Sequence, residues 1–308
     1  MRFGILVTGV APLTAAVLVT DWDVPVVAAV LIGVVALGYF WAAKRAGAWP
    51  VRRTVWFLGG LLVVFVAVAS GVNAYSGVLF TVHMAQHLLL IMVAPALLLL
   101  GRPFELLPGG GRSLAVPSHP LAGFLLYTVV VAGTHLTPFL QGALTVPVLH
   151  GLEEVLYLLA GLLLLSPVVG VRPGRRPLPY LLRLVLLFAA MVVDSLVGVA
   201  LMMTPHEPFP AYAAVARDWG PGLVEDLHWG GAMMWVGGDA MMAALAVFVI
   251  GGWLRSSERG DDLGSWLESA RRSALDLDGE VQVDDDDEAL RAYNAMLSRL
   301  SVEGDRHR

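Results

Sequence analysis

Cysteine does not occur in the sequence of 308 residues. Without thiols the chain cannot form disulfides or zinc–thiolate sites, and CxxC redox chemistry is excluded. Eight histidines and eleven methionines remain as imidazole and thioether ligands.

Charged residues are also scarce, at 15% of the chain, whereas 57% of the residues are hydrophobic and the mean hydropathy is +0.73. Such a composition is too apolar for a soluble globular protein and predicts an integral membrane protein. No stretch is typical of a nucleophile paired with a base, a phosphate-binding loop or a nucleotide site, and we expect no nucleic-acid partner.

Seven stretches approach or exceed the length of about 20 mostly apolar residues that a membrane span needs. They are Val24–Ala43, Thr54–Val72, Val78–Leu100, Pro120–Leu136, Pro147–Val169, Leu181–Met203 and His228–Leu254. The Phe3–Val19 stretch is apolar but short, and an eighth span, a signal-anchor and a cleaved leader all remain open for it.

The sequence therefore predicts an all-α, polytopic transmembrane helix bundle whose surface contacts membrane lipid. We expect an N-terminal apolar segment over residues 1–23, a seven-helix membrane domain over residues 24–255 and an acidic tail over residues 256–308. In the tail, a run of aspartates precedes an apolar stripe and predicts a short amphipathic helix. The stripe consists of Leu290, Tyr293, Leu297 and Leu300.

Basic residues fall in alternate loops, which predicts the orientation of the bundle. They are Lys44, Arg45, Arg52 and Arg53 after the first span, Arg102 and Arg112 after the third, and Arg172, Arg175 and Arg176 after the fifth. The remaining loops contain only Arg217. Since cytoplasmic loops carry the excess of lysine and arginine, these basic loops and the C-terminus should be cytoplasmic.

Histidines gather at the opposite, external ends of the spans. Six of the eight lie there: His83, His87, His135, His150, His206 and His228. The acids Glu153, Glu154 and Asp226 join them, and Asp194 and Asp239 lie deeper in the sixth and seventh spans. Ionisable groups at membrane depth are costly unless they are paired, hydrated or metal-bound, so they mark a functional interior.

The spacing of these residues places several of them on shared helix faces. His83 and His87 are four residues apart, as are His150 and Glu154, and such pairs project from one side of a helix. His228, Trp235 and Asp239 also share a stripe. Imidazole with occasional thioether suits copper, whereas imidazole with carboxylate suits zinc, iron or manganese; we favour copper. The alternative is a polar network that holds the helices together.

The segment "HMAQHLLLIMVAPALLLLGRP" from His83 to Pro103 resembles the signature of the CtaG family, multi-span assembly factors for caa-type cytochrome c oxidase. Three further segments, "WPVRRTVWFLGGL", "VLHGLEEVLYLLAGLLLLSPVVG" and "DLHWGGAMMWVGGD", are similar to the family in order and spacing. The resemblance covers most of the chain from about Trp22 onward.

The resemblance implies a chaperone of a bacterial plasma membrane that binds or delivers copper at the outer face, with cytochrome c oxidase subunits as partners. It implies no enzymatic turnover. His83 and His87 match the family's histidine pair, His150 matches the histidine that opens the fifth span, and Asp226 and Trp235 match residues of the last span.

Two positions depart from the family pattern, because Glu154 and Asp194 stand where histidines are expected. Carboxylate in place of imidazole makes a metal site harder and more anionic, which favours Cu(II) or another divalent ion.

We therefore predict His83, His87 and His150 as the principal metal ligands, with other candidates around them. The further candidate ligands are His135, Glu154, Asp194 and His228, and the supporting residues are Glu153, Asp226, Trp235 and Asp239. Two other functions stay open. One is a copper or proton transporter with Asp194 and Asp239 as a relay. The other is a b-type haem protein with two histidine ligands.

Overall fold

The computed structural model describes residues 10–108, 119–171 and 177–257, together with residues 291, 294 and 295. Within this part of the chain, helices are the only regular secondary structure. The chain divides into two compact units, residues 1–247 and 248–308, and the candidate site lies in the first unit.

Six helices are long and apolar enough to cross a membrane. Four are continuous: α2 (Val26–Arg45), α3 (Val51–Ala69), α9 (Pro147–Val168) and α10 (Tyr180–Met202). The other two are Phe80–Leu100 and Leu223–Ser256. A seventh span results when α7 (Pro120–Leu136) and α8 (Phe139–Thr145), which meet at 73°, are counted together. The predicted all-helical membrane bundle is confirmed.

Two of the spans contain a π-helical turn. One consists of α5 (Phe80–Leu88), a π turn over Leu89–Val93 and α6 (Ala94–Leu100). The other consists of α12 (Leu223–Ala232), a π turn over Met233–Gly237 and α13 (Gly238–Ser257).

Short helical elements complete the described chain. These are α1 (Ala15–Thr20), α4 (Gly71–Ser76), a 3₁₀ turn over Pro103–Leu106 and α11 (Pro210–Ala213).

Proline explains several boundaries. Pro120, Pro147 and Pro210 occupy the first position of their helices. Proline is tolerated there because an N–H at this position has no hydrogen-bond partner within the helix. Pro95 has the opposite effect inside a span, because it cannot donate to the carbonyl four residues earlier and its ring crowds that carbonyl. The π turn over Leu89–Val93 lies at this point and accommodates the proline.

The span that carries the histidine pair is packed closely against α9. The Cβ of any larger residue at Gly161 of α9 would collide with the carbonyl oxygen of Ile91 and with Cγ of Pro95. Glycine thus lets α9 approach the π turn, as small residues do at helix interfaces in membranes. This approach brings the preceding turns of α9 to the histidines of α5.

Two of the sequence predictions fall wholly or partly outside the described residues. Residues 3–9 of the N-terminal apolar stretch are outside them, and the described remainder of the stretch contains only the six-residue helix α1. That remainder is attached to the bundle, because Trp219 Nε1 donates to the Val10 carbonyl at 2.6 Å and Tyr75 Oη donates to the Ala11 carbonyl at 2.9 Å. The apolar stripe of the predicted tail helix also lies outside the described residues.

Candidate metal centre

The histidine pair of α5 and one glutamate of α9 converge in the interior of the bundle. The Nε2 atoms of His83 and His87 lie 2.9 Å apart, and their rings are nearly perpendicular at 89°. Glu153 faces both, with Oε2 at 3.4 Å from His83 Nε2 and Oε1 at 3.4 Å from His87 Nε2. The three residues are 0%, 5% and 1% exposed, so water does not solvate the carboxylate.

Two of the three separations between these donor atoms, the 3.4 Å contacts of Glu153, match those around a small metal ion, and the 2.9 Å separation of the two Nε2 atoms is about 0.4 Å shorter. In a tetrahedral site with bonds of about 2.0–2.1 Å, neighbouring ligand atoms lie about 3.3–3.4 Å apart. His83, His87 and Glu153 each offer one ligand atom, and these atoms all lie within 4.8 Å of one another. A small outward movement of the two imidazoles, without a change of backbone, would give the three side chains the spacing of ligands to one ion.

A contact on the far side of the ring determines which nitrogen of His83 carries the hydrogen. Nδ1 lies 3.3 Å from the Ser76 carbonyl oxygen, to which it donates as N–H. Nε2 of the neutral ring then carries a lone pair directed at His87 and Glu153. Tyr212 Oη donates to the same carbonyl at 3.0 Å. Metal-binding histidines are typically oriented in this way by a hydrogen bond from their other nitrogen.

Glu153 lacks the partners that a buried carboxylate requires. Neither carboxylate oxygen has a hydrogen-bond partner within the described part of the chain, and the 3.4 Å contacts to the imidazoles are ion-pair distances. A buried carboxylate costs several kcal/mol unless a cation compensates it. The residues thus fit a bound cation, which would occupy the space between the two Nε2 atoms and the carboxylate.

His150 and Glu154 border this centre on a more accessible side, at 17% and 19% side-chain exposure. His150 Nδ1 lies 3.6 Å from Glu153 Oε2, and its Nε2 lies 3.2 Å from Asn73 Oδ1. The rings of His83 and His150 are 5.7 Å apart. The structure thus brings the three principal histidines together, with His150 at the edge.

Glu154 is held by Gln86 instead of by the histidine pair. Gln86 Nε2 donates to Glu154 Oε1 at 3.0 Å, and also lies within 3.2 Å of Asn73 Oδ1. Gln86 and Asn73 were not among the predicted site residues. Gln86 had a signal in the sequence, since it is a polar residue between two histidines in an apolar span; Asn73 had none.

His135 lies beside the centre on α7. Its Nδ1 donates to the Val131 carbonyl at 2.8 Å, and its ring is 5.6 Å from that of His87. Tyr157 stacks on His87 at 3.7 Å, and its hydroxyl is 2.7 Å from Thr134 Oγ1. His135 is therefore a neighbour of the histidine pair but belongs to a different hydrogen-bond network.

The structure does not bring His228 and Asp194 to the centre. His228 Nε2 contacts the Thr204 carbonyl at 3.0 Å. Asp194 lies on α10, which packs mainly against α12 and α7, and its carboxylate adjoins Gly238 at the start of α13. Asp239 accepts a hydrogen bond of 3.0 Å from Ser195. Among the described contacts, none joins His228 or Asp194 to the histidine pair.

Asp226 and Trp235 lie outside the candidate centre, at contacts between the helices around it. Asp226 accepts from the backbone N–H groups of Phe80 and Thr81 at 2.8 and 3.2 Å, so it caps the start of α5. Trp235 lies on the second π turn, and a Cβ at Gly198 of α10 would be 2.8 Å from its Cβ. Asp226 thereby holds the helix that carries the histidine pair.

Comparisons with known proteins give consistent results. Residues 34–256 match the family described as cytochrome c oxidase caa3 assembly factor (Caa3_CtaG). Two mycobacterial proteins described as uncharacterized are similar along most of the chain. The protein of Mycobacterium leprae is 32% identical over 89% of the chain, and that of Mycobacterium bovis is 31% identical over 94%.

The chain spans less than half of the length of these relatives, namely 43% and 46%. No solved structure matches the chain significantly. The family match covers most of the chain and agrees with the helical membrane architecture, which confirms the resemblance detected in the sequence. The chain belongs to the Caa3_CtaG family of cytochrome c oxidase caa3 assembly factors.

Proposed function

We propose that the protein assists the assembly of a haem-copper cytochrome c oxidase by binding copper at His83, His87 and Glu153 and passing it to an oxidase subunit. The observation that carries this proposal is the buried Glu153 carboxylate, which has no hydrogen-bond partner among the described residues and faces two imidazole nitrogens at 3.4 Å. Family membership supports the role in assembly.

Copper is the ion that best suits both the donors and the role. Two imidazoles and a carboxylate form a set of borderline and hard donors, and divalent copper stands at the top of the affinity series for such ligands. The centre has no thiolate, because the chain has no cysteine. The ion is cargo and not a resident cofactor, so the proposed role is binding and transfer without turnover.

His150 and Glu154 provide a route between the buried centre and the surface. Both are partly exposed, and His150 contacts Glu153 on one side and Glu154 on the other. An ion could exchange from Glu154 and His150 to Glu153 by successive replacement of single ligands. The distribution of basic loops predicts that these residues lie on the external side of the bacterial plasma membrane, where a copper-accepting domain of the oxidase would have access.

The geometry of the pair favours a metal ion over haem. Axial nitrogens of a bis-histidine haem lie on opposite sides of the iron, about 4 Å apart, with the porphyrin between them. The Nε2 atoms of His83 and His87 are only 2.9 Å apart and project from one helix. A single small ion fits between these two atoms, whereas a haem would need two histidines on different helices.

The test is metal analysis of the full-length protein, purified in detergent, loaded with Cu(II) and dialysed. We expect near-stoichiometric copper without a Soret band, and at least about tenfold weaker binding in Glu153→Gln, which keeps the shape of the side chain but removes its charge. Glu154→Gln is the matched control, because Glu154 adjoins Gln86 and not the histidine pair; its effect should be smaller.

A His83→Ala/His87→Ala variant should lose the copper, whereas His119→Ala, which alters a histidine at the start of α7, should retain it. Wild-type protein without copper after loading, or equal binding by wild type and Glu153→Gln, would refute the proposed centre.

A further inference from the structure

A thioether and an imidazole face each other beside the candidate centre. Met84 Sδ lies 3.2 Å from His135 Nε2, and the two residues are 1% and 5% exposed. Met84 follows His83 on α5, and His135 lies in the last turn of α7. The contact joins two helices across a separation of 51 residues in the chain.

The hydrogen bonds of His135 identify which of its atoms faces the sulfur. Nδ1 lies 2.8 Å from the Val131 carbonyl oxygen, a distance that requires an N–H on Nδ1 because the carbonyl can only accept. Nε2 of the neutral ring therefore carries a lone pair and no hydrogen. The thioether sulfur has no hydrogen either.

Two buried acceptors thus approach each other without a donor between them. A cation between the two atoms removes the conflict, and a soft cation suits them best because thioether and imidazole are the ligands of monovalent copper. In a site that a further ligand completes to a tetrahedral angle, bonds of about 2.0 Å to nitrogen and about 2.3 Å to sulfur place these two donors about 3.5 Å apart. An outward movement of about 0.3 Å admits such an ion.

The surroundings also favour a monovalent ion over a divalent one. The ring of Phe80 meets His135 edge-on at 6.4 Å, and a Cβ at Gly230 would touch both Phe80 and Met84. No described hydrogen bond or ion pair of Met84 or His135 involves a carboxylate, and the charge of Glu153 acts on His135 only from a greater distance. Desolvation disfavours a double charge more strongly than a single one in such apolar surroundings.

We propose that Met84 Sδ and His135 Nε2 form a soft binding site for Cu(I), separate from the centre of His83, His87 and Glu153. The proposal rests on the proposed function only in taking copper as the cargo. The two sites are adjacent, since His83 and Met84 are consecutive residues and the rings of His87 and His135 are 5.6 Å apart. The protein would thus have one site for each oxidation state of copper.

The test is X-ray absorption at the copper edge on the full-length protein, loaded with Cu(I) under anaerobic, reducing conditions. We expect a sulfur neighbour at about 2.3 Å from copper. Met84→Leu should remove it and weaken Cu(I) binding at least about tenfold in competition with a Cu(I) chelator. Met92→Leu is the matched control, because Met92 is also buried in this span, at 2% exposure.

A second measurement needs no substitution. Wild-type protein grown with selenomethionine should show selenium in place of sulfur beside copper. A copper shell of nitrogen and oxygen alone in both preparations would overturn the soft site and would indicate that an imidazolium N–H of His135 contacts the sulfur.

Cu(II) loading of the same proteins separates the two proposals. If Cu(II) binds and the sulfur neighbour is absent, only the soft site fails. If the sulfur neighbour is present and Cu(II) does not bind, the centre of Glu153 fails and the soft site stands. If neither form of copper binds, both proposals fail.

Discussion

Asp226 accepts a hydrogen bond of 2.8 Å from the backbone N–H of Phe80, although the two residues are 146 positions apart. The same carboxylate accepts from the backbone and hydroxyl groups of Thr81, and Arg217 lies 3.8 Å from it. Because the first N–H groups of a helix have no partner within the helix, Asp226 of α12 serves as the cap of α5. The start of the span that carries the histidine pair is thereby fixed by the last span.

Replacing Asp226 should destabilise the bundle and loosen the histidine pair. Asp226→Ala leaves the N–H groups of Phe80 and Thr81 without their acceptor and removes the carboxylate beside Arg217, which should lower the free energy of unfolding by about 2 kcal/mol. The measurement is thermal unfolding in detergent with and without copper. Glu225→Ala is the control, because Glu225 precedes Asp226 on the same helix but is exposed. Equal melting temperatures for the two variants would contradict the capping role.

Gly161 should tolerate no side chain, since a Cβ there meets the Ile91 carbonyl and the Pro95 ring. Gly161→Ala should force α9 away from the π turn, lower the free energy of unfolding by about 2 kcal/mol and weaken copper binding by displacing Glu153. The measurements are thermal unfolding and copper content after dialysis.

Gly151→Ala is the matched control on the same helix, because a Cβ at Gly151 meets no atom within 4 Å. Intact copper binding in Gly161→Ala would show that the approach of α9 to the π turn does not position Glu153.

Tyr212 should influence the affinity for metal through Ser76, whose carbonyl it shares with His83. Burial, together with the carboxylates of Glu153, Asp226 and Glu207, raises the pKa of Tyr212 well above its usual value, so its hydroxyl remains a donor. In Tyr212→Phe, the Ser76 carbonyl keeps only the His83 N–H as a donor and loses its link to α11. Because His83 is then oriented less firmly, we expect about tenfold weaker copper binding.

The control is Tyr75→Phe, because the Tyr75 hydroxyl donates to the Ala11 carbonyl instead. Both variants lose one hydroxyl. A loss of affinity that is the same in both would exclude a specific role for the shared carbonyl.

Glu207 should make the stability of the loop before α11 dependent on pH. Its Oε1 accepts from the Phe209 N–H at 2.9 Å, and Phe209 stacks on Phe80 at 5.7 Å. Burial raises the pKa of Glu207; the Phe209 N–H opposes this shift and Asp226 adds to it. An acid whose pKa is higher in the folded state binds more protons there, so folding stability falls as pH rises from about 4.3 to the raised value.

Glu207→Gln should remove this part of the pH dependence. The measurement is the melting temperature of both proteins in a series of buffers across the acidic range. A slope that is unchanged in Glu207→Gln would assign the dependence to another group.

The spans and the His83–His87 pair could be predicted from the sequence because both depend on local properties. Hydropathy and length identify a span, and the helical repeat places residues four apart on one face. His150 and Glu154 illustrate the same rule, since the structure places Nε2 of His150 at 3.6 Å from the carboxylate of Glu154.

The choice between Glu153 and Glu154 could not be predicted in this way. Adjacent residues of a helix point about 100° apart, so the rotation of α9 about its axis decides which carboxylate meets the histidine pair. That rotation depends on the contact of Gly161 with the π turn, which is a property of two helices. The contact between Met84 and His135 likewise requires knowledge of which helices are neighbours.

The π turns also bear on how this family can vary. A π turn contains about one residue more than an α turn, so the helix beyond it is rotated by about 100° relative to an uninterrupted one. The halves before and after Leu89–Val93 consequently have independent registers, one that directs His83 and His87 inward and one that packs α6 against α3. Loss of one residue at this turn would convert it to an α turn and leave both halves facing as they do, so the span can gain or lose that residue without moving the histidines or the face of α6 that packs against α3.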